Sequence, residues 1–243
     1  MKRLSPFVVA LMAATSVALG QSAEPESVPG QAEQQFEFIQ FEPGESGYRA
    51  FEHEVFGDFV QAAGGDDEAR KRLIAACDRA ISADAEHAEA IAWRGAVKMF
   101  EAGEASSSGD FRAAMNHVTA ALTDLERART LEPENPGVRM VAANMLLNLA
   151  KNHPIESMAS GYAKQGIEDA KAALSKLYDN WDKQPADVKG QLLMGVAEGY
   201  AKLGKTVEAR DWCNRVLGAV PGTTWAEQAQ AWIDAADKKA NSL

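Results

Sequence analysis

The chain has 243 residues, a formal net charge of −10 and an apolar content of 46%. That is enough apolar chain for one sizeable core or one short stack of helices. The acidic balance argues against nucleic acid and anionic membrane surfaces as partners, because both need a basic footprint; otherwise it serves solubility.

Residues 1–20 read as a secretory signal. Lys2 and Arg3 make a basic start, and Phe7–Leu19 is an apolar run too short to span a bilayer. Ala18 and Gly20 place a cleavage before Gln21, and no cysteine follows that would carry a lipid. The chain is therefore expected to be exported, periplasmic or secreted, with no stable membrane insertion after signal cleavage. Residues 21–35 are polar and rich in Pro and Gly, the composition of a disordered linker. Phe36-Glu-Phe-Ile-Gln-Phe41 then alternates apolar and polar residues before stopping at Pro43-Gly44. This Phe-rich arm has two readings. Either it covers the open end of the first helix pair, or it is a sticky arm that recruits a partner or lies in a groove of its own fold. Residues 21–44 thus form linker and arm, and 45–240 a helical repeat domain.

From residue 46 the apolar residues recur at the helical spacings of three and four. Tyr48, Phe51, Val55 and Phe59 predict a helix with an aromatic stripe, ending at Gly64-Gly65. Asp66 or Asp67 caps the next, which runs to about Ala83 with Leu73, Cys77 and Ala80 on one side. A third helix is expected over Ala88–Phe100, where Arg94 and Lys98 interrupt the apolar stripe. Ser106–Gly109 reads as a flexible turn and Asp110–Leu131 as a long fourth helix. Pro136 opens a fifth that is apolar on nearly all sides, with Asn144 and Asn148 as its polar interior residues, four apart on one face. Such a helix is buried on most sides. After a loop at Asn152-His-Pro154, a sixth runs through Ala170, Leu174, Leu177 and Trp181.

The clearest hairpin is Leu192–Pro221. Leu193, Val196, Ala197 and Tyr200 form one stripe, Gly204 ends the helix, and Ala209, Cys213, Val216 and Leu217 form the returning stripe. A lone hairpin cannot bury both of its faces, so it predicts neighbours of the same kind. Thr223 or Thr224 caps a last helix with Trp225, Ala229 and Trp232 on one face.

The order of small and large residues in this hairpin, with Gly before the turn and Pro221 after the second helix, resembles the tetratricopeptide repeat. The pattern recurs at Ala121–Pro136, where Ala121, Leu125, Ala128 and Pro133 take the places of Ala209, Cys213, Val216 and Pro221. The resemblance implies an all-α fold: a right-handed α-solenoid of antiparallel helix pairs, about four units plus a C-terminal capping helix. It also implies a concave groove lined by the first helix of each pair. Carried over residue by residue, the groove positions are Glu89, Ala92, Ala96 and Met99, then Met140, Asn144, Leu147 and Asn148, then Gln191, Met194, Glu198 and Lys202. Met99, Met140, Asn144, Leu147, Asn148, Met194, Glu198 and Lys202 make the candidate partner-binding set. Some family members clamp a peptide's terminal carboxylate with Lys, Asn and Arg; only Asn144 matches, so that clamp is not expected. A Met-rich groove with two amides suits an extended or helical apolar peptide. The same methionines could equally pack inside a tightly wound solenoid whose groove is closed.

Nothing in the sequence marks catalysis. His53, His87, His117 and His153 stand alone, and there is no Gly-rich phosphate loop or nucleophile elbow. No cofactor or metal is expected, and the chain does not read as an enzyme. Cys77 and Cys213 occupy the same buried position in units three apart. Helices pack about 8–10 Å apart, so six helices separate the thiols by roughly 50 Å, while a disulfide needs Cα atoms within about 7 Å. Two free, buried thiols are expected. The functional expectation is an exported, non-catalytic protein–protein interaction scaffold that binds a peptide or protein in its groove. The alternative is a periplasmic small-molecule or lipid-binding protein with a closed helical pocket.

Overall fold

Short polar side chains set where the helices begin. Asp66 accepts from the amides of Glu68 and Ala69, Asp110 from Ala113, Asn135 from Gly137 and Val138, and Thr223 from Ala226. Each satisfies amides that a first turn leaves without intrahelical partners. At Asn135 the cap is followed by Pro136, whose missing N–H costs nothing at that position.

The computed structural model describes residues 50–241. The expected signal at 1–20 and the linker and Phe-rich arm at 21–44 lie outside the described residues. Every regular element among those described is helical: α1 Ala50–Ala63, α2 Asp67–Ala83, α3 Ala88–Ser107, α4 Phe111–Leu131, α5 Pro136–Asn152, α6 Glu156–Leu177, α7 Ala186–Lys202, α8 Thr206–Ala219 and α9 Thr224–Ala240. Two boundaries differ from the sequence reading. Ser106 and Ser107 belong to the last turn of α3, and the chain reverses at Gly109 (φ +82°). Trp181 lies in a 3-10 segment, Tyr178–Lys183, that follows α6. Gly204 takes φ +70° between α7 and α8, the left-handed turn that its position called for.

Each helix packs on the next in the chain. The odd-numbered helices also pack in sequence, α1 on α3, α3 on α5, α5 on α7 and α7 on α9. Two hydrophobic clusters result. The first joins Phe51, Val55, Phe59, Leu73, Cys77, Ile91, Trp93 and Leu125 to Val138, Val141 and Met145. The second joins Met140 and Ala143 to Ile167, Leu174, Leu193, Met194, Val196, Trp212, Val216 and Trp225. Helix α5 alone among the described helices contributes to both, which is why it is apolar on nearly all sides.

Two buried carboxylates are each held by a pair of basic side chains. Asp124 of α4 receives bidentate hydrogen bonds from Arg94 (2.9 and 2.7 Å) and one from Lys98 (2.6 Å), both on α3. Arg94 and Lys98, which interrupt the apolar stripe of α3, thus hold a carboxylate that their own hairpin buries. Burial pushes the Asp124 carboxyl up, but the hydrogen bonds from Arg94 and Lys98 outweigh it and hold it below the usual range. Asp169 of α6, 1% exposed, takes Arg129 of α4 at 2.8 Å and Arg139 of α5. Cys77 and Cys213 are both free and buried. Burial pushes their thiols up, to about 12 and about 11, so they pack as small apolar groups. No helix among the described residues is long and apolar enough to cross a membrane.

Candidate functional site

The exposed strip of α5 follows from its two packing seams. Val141 and Met145 face the α3 side, and Met140 and Leu147 face α6 and α7. Asn144 and Asn148 lie between these seams, half-buried, on the strip left over. Asn152 continues it one turn on and donates from Nδ2 to the Asn148 carbonyl (3.0 Å) and to Asn148 Oδ1 (2.7 Å).

The remaining groove positions divide into two groups. Met99, Glu198 and Lys202 are half-buried at the surface of α3 and α7. Glu198 meets Lys151 of α5 at 3.5 Å, and Lys202 meets Glu156 of α6 at 3.0 Å. Met140 and Met194, by contrast, are 7% and 4% exposed and pack in the same cluster. Glu89, Ala92, Ala96 and Gln191 are buried as well. Leu147 enters a slot lined by glycines. A Cβ on Gly166, Gly195 or Gly199 would come within 2.7–3.1 Å of its side chain. The open strip is therefore polar where the sequence suggested methionine. A 3.6-residue period assigns a residue to a face, but not to the open or closed side of a seam.

Sequence reasoning missed a second polar cluster, at the opposite end of the odd helices. Asn135 donates from Nδ2 to Glu89 Oε1 (3.1 Å) and Glu132 Oε2 (2.6 Å). A Cβ on Gly137 would lie 3.3 Å from Asn135 Oδ1, 3.5 Å from Glu52 Oε2 and 3.6 Å from Glu89 Oε1. The first turns of α1, α3 and α5 thus converge. Glu52 Oε2 is buried without a hydrogen-bond partner among the described residues. Burial first, and the Glu89 carboxylate second, push Glu52 from an ordinary 4.5 up to about 8. The cluster is sealed from solvent, with Glu52 7% and Glu89 2% exposed, so it offers a substrate no approach.

This cluster makes stability depend on pH. An acid whose folded pKa lies above its unfolded value holds its proton more tightly in the folded state. Its stabilising contribution is complete below about pH 4.5 and is lost as pH rises through about 8. Glu52→Gln should match the parent near pH 5 and exceed it by roughly 3 kcal/mol at pH 8. Urea unfolding at the two pH values measures this. Equal stability of the two proteins at pH 8 would show that Glu52 is ionised without cost.

Two open hollows of about 520 and 620 Å³ lie along α6 (Met158, Tyr162, Lys164) and α4 (Thr119, Leu122, Arg127), away from the asparagine strip. No group of three or more His, Cys, Asp or Glu among the described residues could hold a metal ion. Comparison with protein-family models, with curated proteins and with solved structures gives no match.

Proposed function

We propose that the chain is an exported α-solenoid of the tetratricopeptide type, a non-catalytic scaffold that binds a peptide or protein partner on the face of its odd-numbered helices. The observation that carries the reading is the half-buried strip of Asn144, Asn148 and Asn152, set between two tightly packed seams. Solenoid winding is supported by packing in which each helix touches its chain neighbours and each odd helix touches the next. Amides set between apolar seams suit recognition of a peptide main chain, with Glu198 and Lys202 at the rim. The small-molecule alternative calls for an enclosed apolar pocket; of the hollows lined by described residues, those along α4 and α6 are open to solvent.

Affinity capture from the exported fraction of the source cell tests this. Asn144→Arg with Asn148→Arg should reduce recovered partners more than tenfold. Lys164→Glu, on the outer side of α6, should leave them unchanged. Recovery of the same partners by both variants would remove the odd-helix face as the binding site.

A further inference from the structure

We propose that the segment Phe36–Phe41 of this chain is itself a ligand of the α5 strip, docking as an extended strand along Asn144, Asn148 and Asn152. The proposal rests on the odd-helix face being the binding surface and adds its resident occupant, which a partner must displace.

Asparagine is among the weaker helix formers, because its side chain competes with the backbone for hydrogen bonds. Three of them at intervals of four on α5 weaken the helix and add nothing to either seam. Their bonding is incomplete. The Asn152 amide nitrogen is used by Asn148. Asn148 Nδ2, Asn152 Oδ1 and both polar atoms of Asn144 make no hydrogen bond among the described residues. What remains is a line of alternating donors and acceptors.

The spacing of that line selects its ligand. Four residues of helix rise about 6.0 Å. Two residues of extended chain advance about 6.6–6.8 Å, and alternate residues turn their N–H and C=O groups to the same side. Asn144 offers a strand both a donor and an acceptor, Asn148 adds the donor Nδ2 and Asn152 the acceptor Oδ1, so the three can bond successive main-chain groups along one edge of it. An α-helical ligand has no free main-chain groups to offer. Phe36–Phe41 is rich in strand formers, and extended chain would set Phe36 and Phe38 on one side and Ile39 and Phe41 on the other.

The chain also enters the fold at the right place. Glu52, in the first turn of α1, has its carboxylate beside Gly137, in the first turn of α5. Asn144 lies seven residues beyond Gly137, about 10 Å along the helix. Eight residues lie between Phe41 and Ala50, and the nine steps of chain from one to the other span up to about 30 Å when extended. A tether of this length holds the segment at an effective concentration on the order of millimolar, so even weak contacts keep it docked.

Amide hydrogen exchange on the purified full chain, with no partner present, tests the proposal. Residues 36–41 should exchange at least tenfold more slowly than in a synthetic peptide of residues 33–44. Asn144→Leu with Asn148→Leu should restore fast exchange while the thermal midpoint is kept, since leucine is the better helix former. Phe36→Ser with Phe38→Ser, which leaves α5 intact, should do the same. Fast exchange in the parent chain, or protection that survives the leucine pair, would overturn the proposal. Protection that grows with protein concentration would also overturn it, by assigning the docked segment to a second copy. Because no partner is present, protection with no partner captured would remove the scaffold reading and leave the docking intact.

Discussion

Gly190→Ala should destabilise the protein by about 3 kcal/mol and detach its last helix. Gly190 faces Trp225, the second residue of α9. A Cβ there would overlap the indole ring and lie 2.8 Å from the tryptophan Cβ. An indole can swing away, but its Cβ cannot, so relief requires α9 itself to move. That movement exposes a side chain now 5% accessible and breaks the 3.0 Å bond from Trp225 Nε1 to Asp187 Oδ1. Urea unfolding followed by tryptophan fluorescence should show a lower midpoint and an early phase as α9 leaves. Gly218→Ala is the control with the opposite sign. A Cβ at Gly218 meets nothing within 4 Å, so alanine in this helical position should stabilise by up to about 1 kcal/mol. Equal effects at the two glycines would mean that α9 does not dock as described.

Asp169→Ala should cost about 3–5 kcal/mol, because it leaves two arginines inside the protein without their anion. The carboxylate is 1% exposed and the Arg129 and Arg139 side chains 11% and 23%. The group ties three helices together, since Arg129 stands on α4, Arg139 on α5 and Asp169 on α6. Replacing all three with apolar residues (Asp169→Leu, Arg129→Met, Arg139→Met) should recover most of the loss, as uncharged residues carry no desolvation cost. A thermal midpoint for Asp169→Ala within 2 °C of the parent would show that water already reaches the site. Asp124→Ala should cost less, because Arg94 and Lys98 are each 26% exposed and can turn to solvent.

Much of this architecture was legible in the sequence, and the reason is local. Asp66, Asn135-Pro136 and Thr223 declare helix starts through bonds that close within three residues. Gly204 declares a turn through its own φ. Stripes such as Leu193, Val196 and Ala197 declare a buried side by their period. What was not legible depends on residues far apart in the chain. Arg94 and Lys98 looked like faults in an apolar stripe until Asp124, 30 and 26 residues on, stood opposite them. Leu147 looked exposed to a groove, but Gly166 of α6 with Gly195 and Gly199 of α7 makes the slot that takes it. Met140 and Met194 fell on the face that the repeat pattern assigns to a groove, but the seam between α5 and α7 closes over them. Glu52 and Glu89 are unremarkable acids in the sequence. Their partnership exists because three helices begin at one point.

The double membership of α5 bears on how the chain folds and comes apart. Helices here touch chain neighbours and next-nearest helices, so contact order is low and the loops to be closed are short. Each half packs around its own centre, α1 to α4 around Leu73 and Ile91 and α6 to α9 around Leu174 and Leu193. Neither half is complete without the face of α5 that it requires. Opening from one end leaves α5 held by the other half, and only the loss of both releases it. The line of asparagines is thus carried on the helix that opens last, and fraying at either terminus leaves it in place.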